Sequence, residues 1–184
     1  MVAVDMPIGL PEGGRRGCDL PARALLPAAR RSSVFLDLRR PLLAFTDYKA
    51  ANAWAKADGK GLSKQAWNIL PRIADLDSWI TPARQKHVRE SHPELVFMRL
   101  GGGALLPPKR LPEGLAARRR VLLGHGLAGL DDLAAGLRRR DAAADDLYDA
   151  AALALTAARI AAGKGKRIGG DVRDARGLRM EIWY

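Results

Sequence analysis

"DAAADDLYDAAALALTAARIAAG" (residues 141–163) decides how the rest of the chain is read. It is the strongest helical segment in the sequence, with Asp141 as its candidate N-cap and Gly163 as its stop. Residues 150–158, "AAALALTAA", are apolar on every side except at Thr156, so this half of the helix must be covered, and a sheet is the expected cover. Asp146 and Asp149 stand three apart and share a face that continues through Leu153 and Ile160 into the apolar half. Asp145, four before Asp149, leans toward the same place. Acids in a first helical turn ordinarily complement the helix dipole or act as caps. Two like charges on a half-buried face are a different matter, because each resists desolvation unless a cation neutralises the pair. Oxygen donors of this kind suit Mg or Mn rather than zinc.

Working outward, "MVAVDMPIGLPE" (1–12) reads as a short strand that ends in Asp5 before Pro7 and Gly9 break regular pairing. "SSVFLDL" (32–38) and the terminal "LRMEIWY" (178–184) are strand-like, and Leu95–Leu100 reads as an extended run opened by Glu94. Helical patterns cover 18–26, 47–56, 115–123 and 130–140. Another runs over 62–80, with Ser63 as its cap and Pro71 set to kink or split it. The Gly- and Pro-rich 101–114 and the Gly- and Lys-rich 163–177 read as loops. Strands and helices intersperse, which gives an α/β class with mostly helical mass, and 184 residues suit one domain spanning 1–184.

The single cysteine, Cys18, excludes an internal disulfide and any zinc-type spacing. No apolar run is long enough to span a bilayer and the N-terminus lacks a signal-peptide pattern, so a cytoplasmic protein without membrane contact is expected. The net charge of +11 is the kind of footprint that nucleic-acid binding leaves. Residues 15–40 concentrate it, with seven Arg against Asp19 and Asp37, although such runs also serve solubility.

Asp5 and Glu94, each beside an expected strand, are candidates to converge with the helix acids at one sheet edge. Carboxylates gathered around two ions are the apparatus of phosphodiester hydrolysis. Asp5 has a turn-capping alternative, and Glu94 has one in pairing with Arg89 or Arg99. His92, beside Pro93 and Glu94, is a candidate to orient a carboxylate or act as a base. Lys60 and Lys64 flank Gly61 at a helix start, an arrangement that can hold a phosphate.

The stretches "VAVDMPIGLPE", "CDLPAR" leading to "SSVF", "GKGLSKQAWNILPRI", "VRESHPELVF", "DDLYDAAALALTAARI" and "ARGLRMEIWY", in this order, resemble a family of bacterial and archaeal proteins predicted to be RNase H-like nucleases, domain of unknown function 429 (DUF429). Asp146-x-x-Asp149-Ala150 is also similar to the last acidic motif of RuvC-type resolvases. The resemblance implies an RNase H-like mixed sheet flanked by helices, with two divalent ions (Mg or Mn) held by Asp5, Asp146 and Asp149, and with Glu94 as a ligand or base. His92 and Asp145 are expected to support these acids, and Lys60 and Lys64 to bind substrate. The implied activity is metal-dependent hydrolysis of nucleic acid, and the alternative is a catalytically inactive RNase H-fold protein that binds nucleic acid or acts as a scaffold. Family members begin with a strand meander whose first strand carries a further acid, and this sequence starts after it. The expectation is therefore an incomplete N-terminus, with a downstream start assignment preferred over a short inactive protein or an edge covered by a partner. The strand that ends at Asp5 should then have an open edge.

Overall fold

The computed structural model describes residues 1–138, 140 and 142–184. Strand β1 (Val2–Val4) pairs in parallel with β2 (Val88–Glu90), in the register Val2 to Val88 and Val4 to Glu90. A parallel pair needs a long crossover. Helices α1 (Asp19–Leu25), α2 (Tyr48–Ala57) and α3 (Lys64–Trp79) lie within it, together with three short 3-10 turns. After β2 come α4 (Pro93–Leu100), α5 (Pro112–Gly124), α6 (Leu130–Gly136) and α7 (Ala144–Ala161). Strands β3 (Arg167–Arg173) and β4 (Arg179–Trp183) then form an antiparallel ladder. A single parallel bridge, Ser91 to Trp183, joins β2 to β4. The architecture is mixed α/β, mostly helical, with few and short strands. Among the described residues β1 pairs with β2 alone, and Val2 on it is 52% exposed.

Helix α7 packs on β1 and against α4 and α5. Tyr148, Ala152 and Leu153 are buried there with Val96, Phe97 and Leu122, so the apolar half of this helix is covered as its sequence requires. A second core seals α2 against α3 through Ala51, Ala55, Ala66, Leu70 and Ile73. Asp47 caps α2 by accepting from the Ala50 N–H, and Ser63 caps α3 by accepting from the Ala66 N–H.

Four sequence expectations change. Leu95–Leu100 is helix, not strand: Pro93 occupies the first turn of α4, where its missing N–H costs nothing, and His92 before it is extended. Glu94 therefore sits in a helical first turn. Residues 34–38 form no strand, and Asp37 has φ 67°. The stretch 163–177, expected as a loop, contains β3, which tolerates Gly169 and Gly170 because the ladder is irregular there and both have positive φ. Helix α3 runs through Pro71 without a break. The candidate N-cap Asp141 lies outside the described residues, and the 130–140 pattern is helix as far as Gly136.

No helix among the described residues is long and apolar enough to cross a membrane.

Candidate functional site

Parallel pairing aligns the carboxyl ends of β1 and β2, the end at which α/β sheets ordinarily hold ligands. The Ser91 N–H donates to the Val4 carbonyl at 2.9 Å, so Asp5 and the His92–Pro93–Glu94 segment leave the strands side by side. Helix α7, packed on β1, brings Asp149 to the same end. The connection from α4 to α5 returns Lys109, and the segment entering α1 supplies Arg16 and Asp19. These residues, with Glu90, line one cleft of about 220 Å³. Residues 5, 92, 94 and 149, selected from the sequence for different reasons, thus share a site.

The carboxylates differ in what engages them. Asp149 Oδ2 accepts from Lys109 Nζ at 2.7 Å, whereas its buried Oδ1 has no hydrogen-bond partner. Burial raises the Asp149 pKa, and the Lys109 contact only partly opposes this. Lys109 also lies 3.2 Å from Asp145, and the two acids raise its pKa against the effect of its own burial. Asp5 lines the cleft and is exposed, and no hydrogen bond or ion pair engages its carboxylate among the described residues. The low-dielectric protein around it nevertheless pushes its pKa up; His92 and Lys109 oppose that rise, while Asp149 and Glu94 add to it. Glu94 is committed elsewhere, accepting from Arg118 Nη2 at 2.6 Å and pairing with Arg30 Nε at 3.2 Å. Its expected partners Arg89 and Arg99 instead contact Glu181 and the Tyr184 carbonyl.

His92 Nε2 lies 3.1 Å from the Ser33 carbonyl oxygen. A carbonyl only accepts, so Nε2 is the donor in this contact, and the buried Nδ1 has no hydrogen-bond partner. One wall of the cleft is a buried ionic group. Arg16 forms a double contact with Glu90 and lies 3.2 Å from Asp19, and the Ile8 N–H donates to Glu90 at 2.7 Å. Burial pushes the Glu90 carboxyl up to about 7 and raises Asp19 as well.

Three candidates lie away from the cleft. Asp146 is exposed on α7 and accepts the Ala143 N–H at 3.2 Å, as a residue in a first helical turn does. Lys60 is exposed, and its carbonyl accepts from Arg39. Lys64 Nζ stands 3.5 Å over the Tyr48 ring. Gly61 between them is explained by close approach, since a Cβ there would meet Asn52 Oδ1 at 2.7 Å.

Sequence reasoning missed Arg16, Asp19, Glu90 and Lys109. Arg16 and Glu90 are 74 positions apart, and nothing local marks them as partners. Lys109 stood in an apparent loop. Among the described residues no group of three or more His, Cys, Asp or Glu side chains is arranged to hold a metal ion.

A family model described as "Protein of unknown function (DUF429)" matches residues 1–174. No curated protein and no solved structure matches the chain.

Proposed function

We propose a function for a chain that belongs to the DUF429 family, whose own function is unknown: divalent-metal-dependent hydrolysis of phosphodiesters in nucleic acid, at the cleft shared by Asp5, Glu94 and Asp149. The observation that carries this reading is the pairing of Asp5 with Asp149 across one cleft, each with a carboxylate oxygen that has no protein partner. Mg is typically bound by one or two carboxylates and retains several waters, so two acids suffice where three-residue clusters are absent. Asp5 and Asp149 would hold a single hydrated Mg or Mn, not the two-ion set that the family resemblance implies. A divalent ion held there would supply Lewis-acid polarisation and charge neutralisation at the phosphoryl group.

The remaining roles belong to the chain. His92, anchored through Nε2–H on Ser33, offers Nδ1 as acceptor for the proton of an attacking water. Lys109 is the counter-ion of Asp149, and its ammonium at the cleft is a donor that would bind a substrate phosphate. Glu94, fixed by Arg30 and Arg118, anchors the start of α4 at the wall of the cleft.

The binding-protein alternative draws support from that same lysine, because an ammonium on Asp149 already does part of a metal's electrostatic work. Assays with single-stranded, duplex and branched substrates distinguish the two. The hydrolase cleaves at least one class with Mn and none in EDTA, and Asp149→Asn abolishes cleavage. Metal-independent binding without cleavage supports the alternative.

A further inference from the structure

A second cleft, of about 590 Å³, is lined by Lys86, Arg89, Arg167, Arg173, Arg179, Glu181 and Trp183, among others. Strand alternation places it. Glu90 on β2 and Ile182 on β4 line the acidic cleft, whereas their neighbours Arg89, Glu181 and Trp183 line this one. The two clefts therefore occupy opposite faces of the same strands. Five cations against the single acid Glu181 give the second cleft a formal charge of 5 − 1 = +4.

Its cations are preorganised. The Glu181 side chain, 1% exposed, accepts from Arg89 at 2.7 Å and from the Trp183 indole N–H at 2.9 Å, and lies 3.6 Å from Arg167. The Arg89 guanidinium stands 5.3 Å from the centre of the Trp183 ring. Arg179 donates to the Gly170 carbonyl at 2.8 Å, and Arg173 to the Gly177 carbonyl at 2.6 Å. Each of these last two uses one nitrogen of a planar group that carries five N–H donors, so most of its capacity to grip an anion is unspent. Four guanidiniums and an ammonium along one concavity suit an anion that repeats, since one phosphate cannot occupy them all.

We propose that this basic cleft binds the phosphate backbone of a single-stranded nucleic acid, on the face of the sheet opposite the acidic site. The choice of nucleic acid over another polyanion rests on the hydrolase reading; the cleft's affinity for repeated phosphates does not.

The test uses the full chain carrying Asp5→Asn and Asp149→Asn, in EDTA, so that neither metal nor cleavage enters. A fluorescent DNA strand of about 12 nucleotides is titrated by anisotropy between about 50 and 200 mM salt. Binding should weaken steeply with salt, by about 0.7 in log–log slope for each phosphate neutralised. Adding Lys86→Glu with Arg173→Glu, both exposed, should lower affinity about tenfold and flatten the slope. The same charge change at exposed Lys49 and Arg72 should do neither. Lys86→Ala with Arg173→Ala, checked by thermal melting, should fall between the parent and the reversal and guards against misfolding. The proposal is overturned if the parent does not bind the strand, or if the Lys86 and Arg173 reversal behaves like the Lys49 and Arg72 control. Loss of nuclease activity in the unsubstituted protein, with this binding intact, refutes the hydrolase reading alone.

Discussion

Glu90 gives the stability of this protein a pH dependence that one substitution should remove. Arg16 is a single cation facing two carboxylates, Glu90 and Asp19, and all three are at most 5% exposed. If both acids ionise, a surplus negative charge is left where water does not reach, so a proton is retained. Burial moves the Glu90 pKa from 4.5 to about 7. A carboxyl raised in this way binds a proton in the folded state that the unfolded chain has released. Its stabilising contribution is therefore complete below 4.5 and is lost as pH rises through about 7. That interval, at 1.36 kcal/mol per pH unit, amounts to about 3 kcal/mol. In a chain of this size it corresponds to a fall in Tm of roughly 6–12 °C between acidic and weakly alkaline pH.

Glu90→Gln keeps an oxygen for the Ile8 N–H and for Arg16, and it leaves Arg16 balanced by Asp19 alone. Its Tm should fall by about 6–12 °C less than the parent's over the same range. Asp5, Asp19 and Asp149 are also raised and act with the same sign, so the readout is the difference between the two proteins in calorimetric melts. Asp58 and Asp131, lowered by Arg39 and Arg119, act only below 3.8 and do not enter this window. Equal slopes in the parent and Glu90→Gln, or a parent Tm that rises toward pH 8, would show that Glu90 does not hold a proton in the folded state.

Other outcomes follow from the same geometry. Lys109→Met removes the ammonium held by Asp149 and Asp145, and Mn affinity measured by calorimetry should tighten about tenfold; weaker binding would show that Lys109 supports the metal rather than competing with it. Asp146→Asn should leave Mn affinity unchanged and cost about 0.5–1 kcal/mol in urea unfolding, because its carboxylate serves the start of α7 and not the cleft. Gly114→Ala would place a Cβ 2.0 Å from the Pro108 carbonyl oxygen, so it should destabilise by about 1–3 kcal/mol and, by moving the segment that carries Lys109, alter Mn affinity as well. A melt and an Mn titration matching the parent would contradict that link.

What could be read in advance was whatever local sequence encodes. An apolar run such as 150–158 demands a cover, and α7 finds it on β1. Three β-compatible residues ending in an acid give a strand and its terminal carboxylate. Local propensity misled at 95–100, where Leu, Val and Phe suit either element and the fixed φ of Pro93 at a helical first position decides for α4. It misled again at 167–173, where two glycines suggested a loop although a bulged ladder uses them.

The parts of the cleft that were not legible depend on distant partners. Lys109 reaches Asp149 because its segment is fastened by Arg118, which donates to the Pro107 carbonyl at 2.9 Å, and because Gly114 lets Pro108 approach closely. Glu90 gains its character from Arg16, which the chain delivers from before α1. Asp146 and Asp149 looked equivalent by spacing, yet one turns back to an exposed backbone N–H while the other faces the cleft.

Asp5 and Asp149 together are proposed to form a divalent-cation site. Calorimetric titration of Mn into the full chain and into Asp5→Asn with Asp149→Asn tests it most directly. One ion per chain is expected for the parent and none for the double variant, with Asp146→Asn unaffected. Equal Mn binding by the parent and the double variant, or none by the parent, would contradict it.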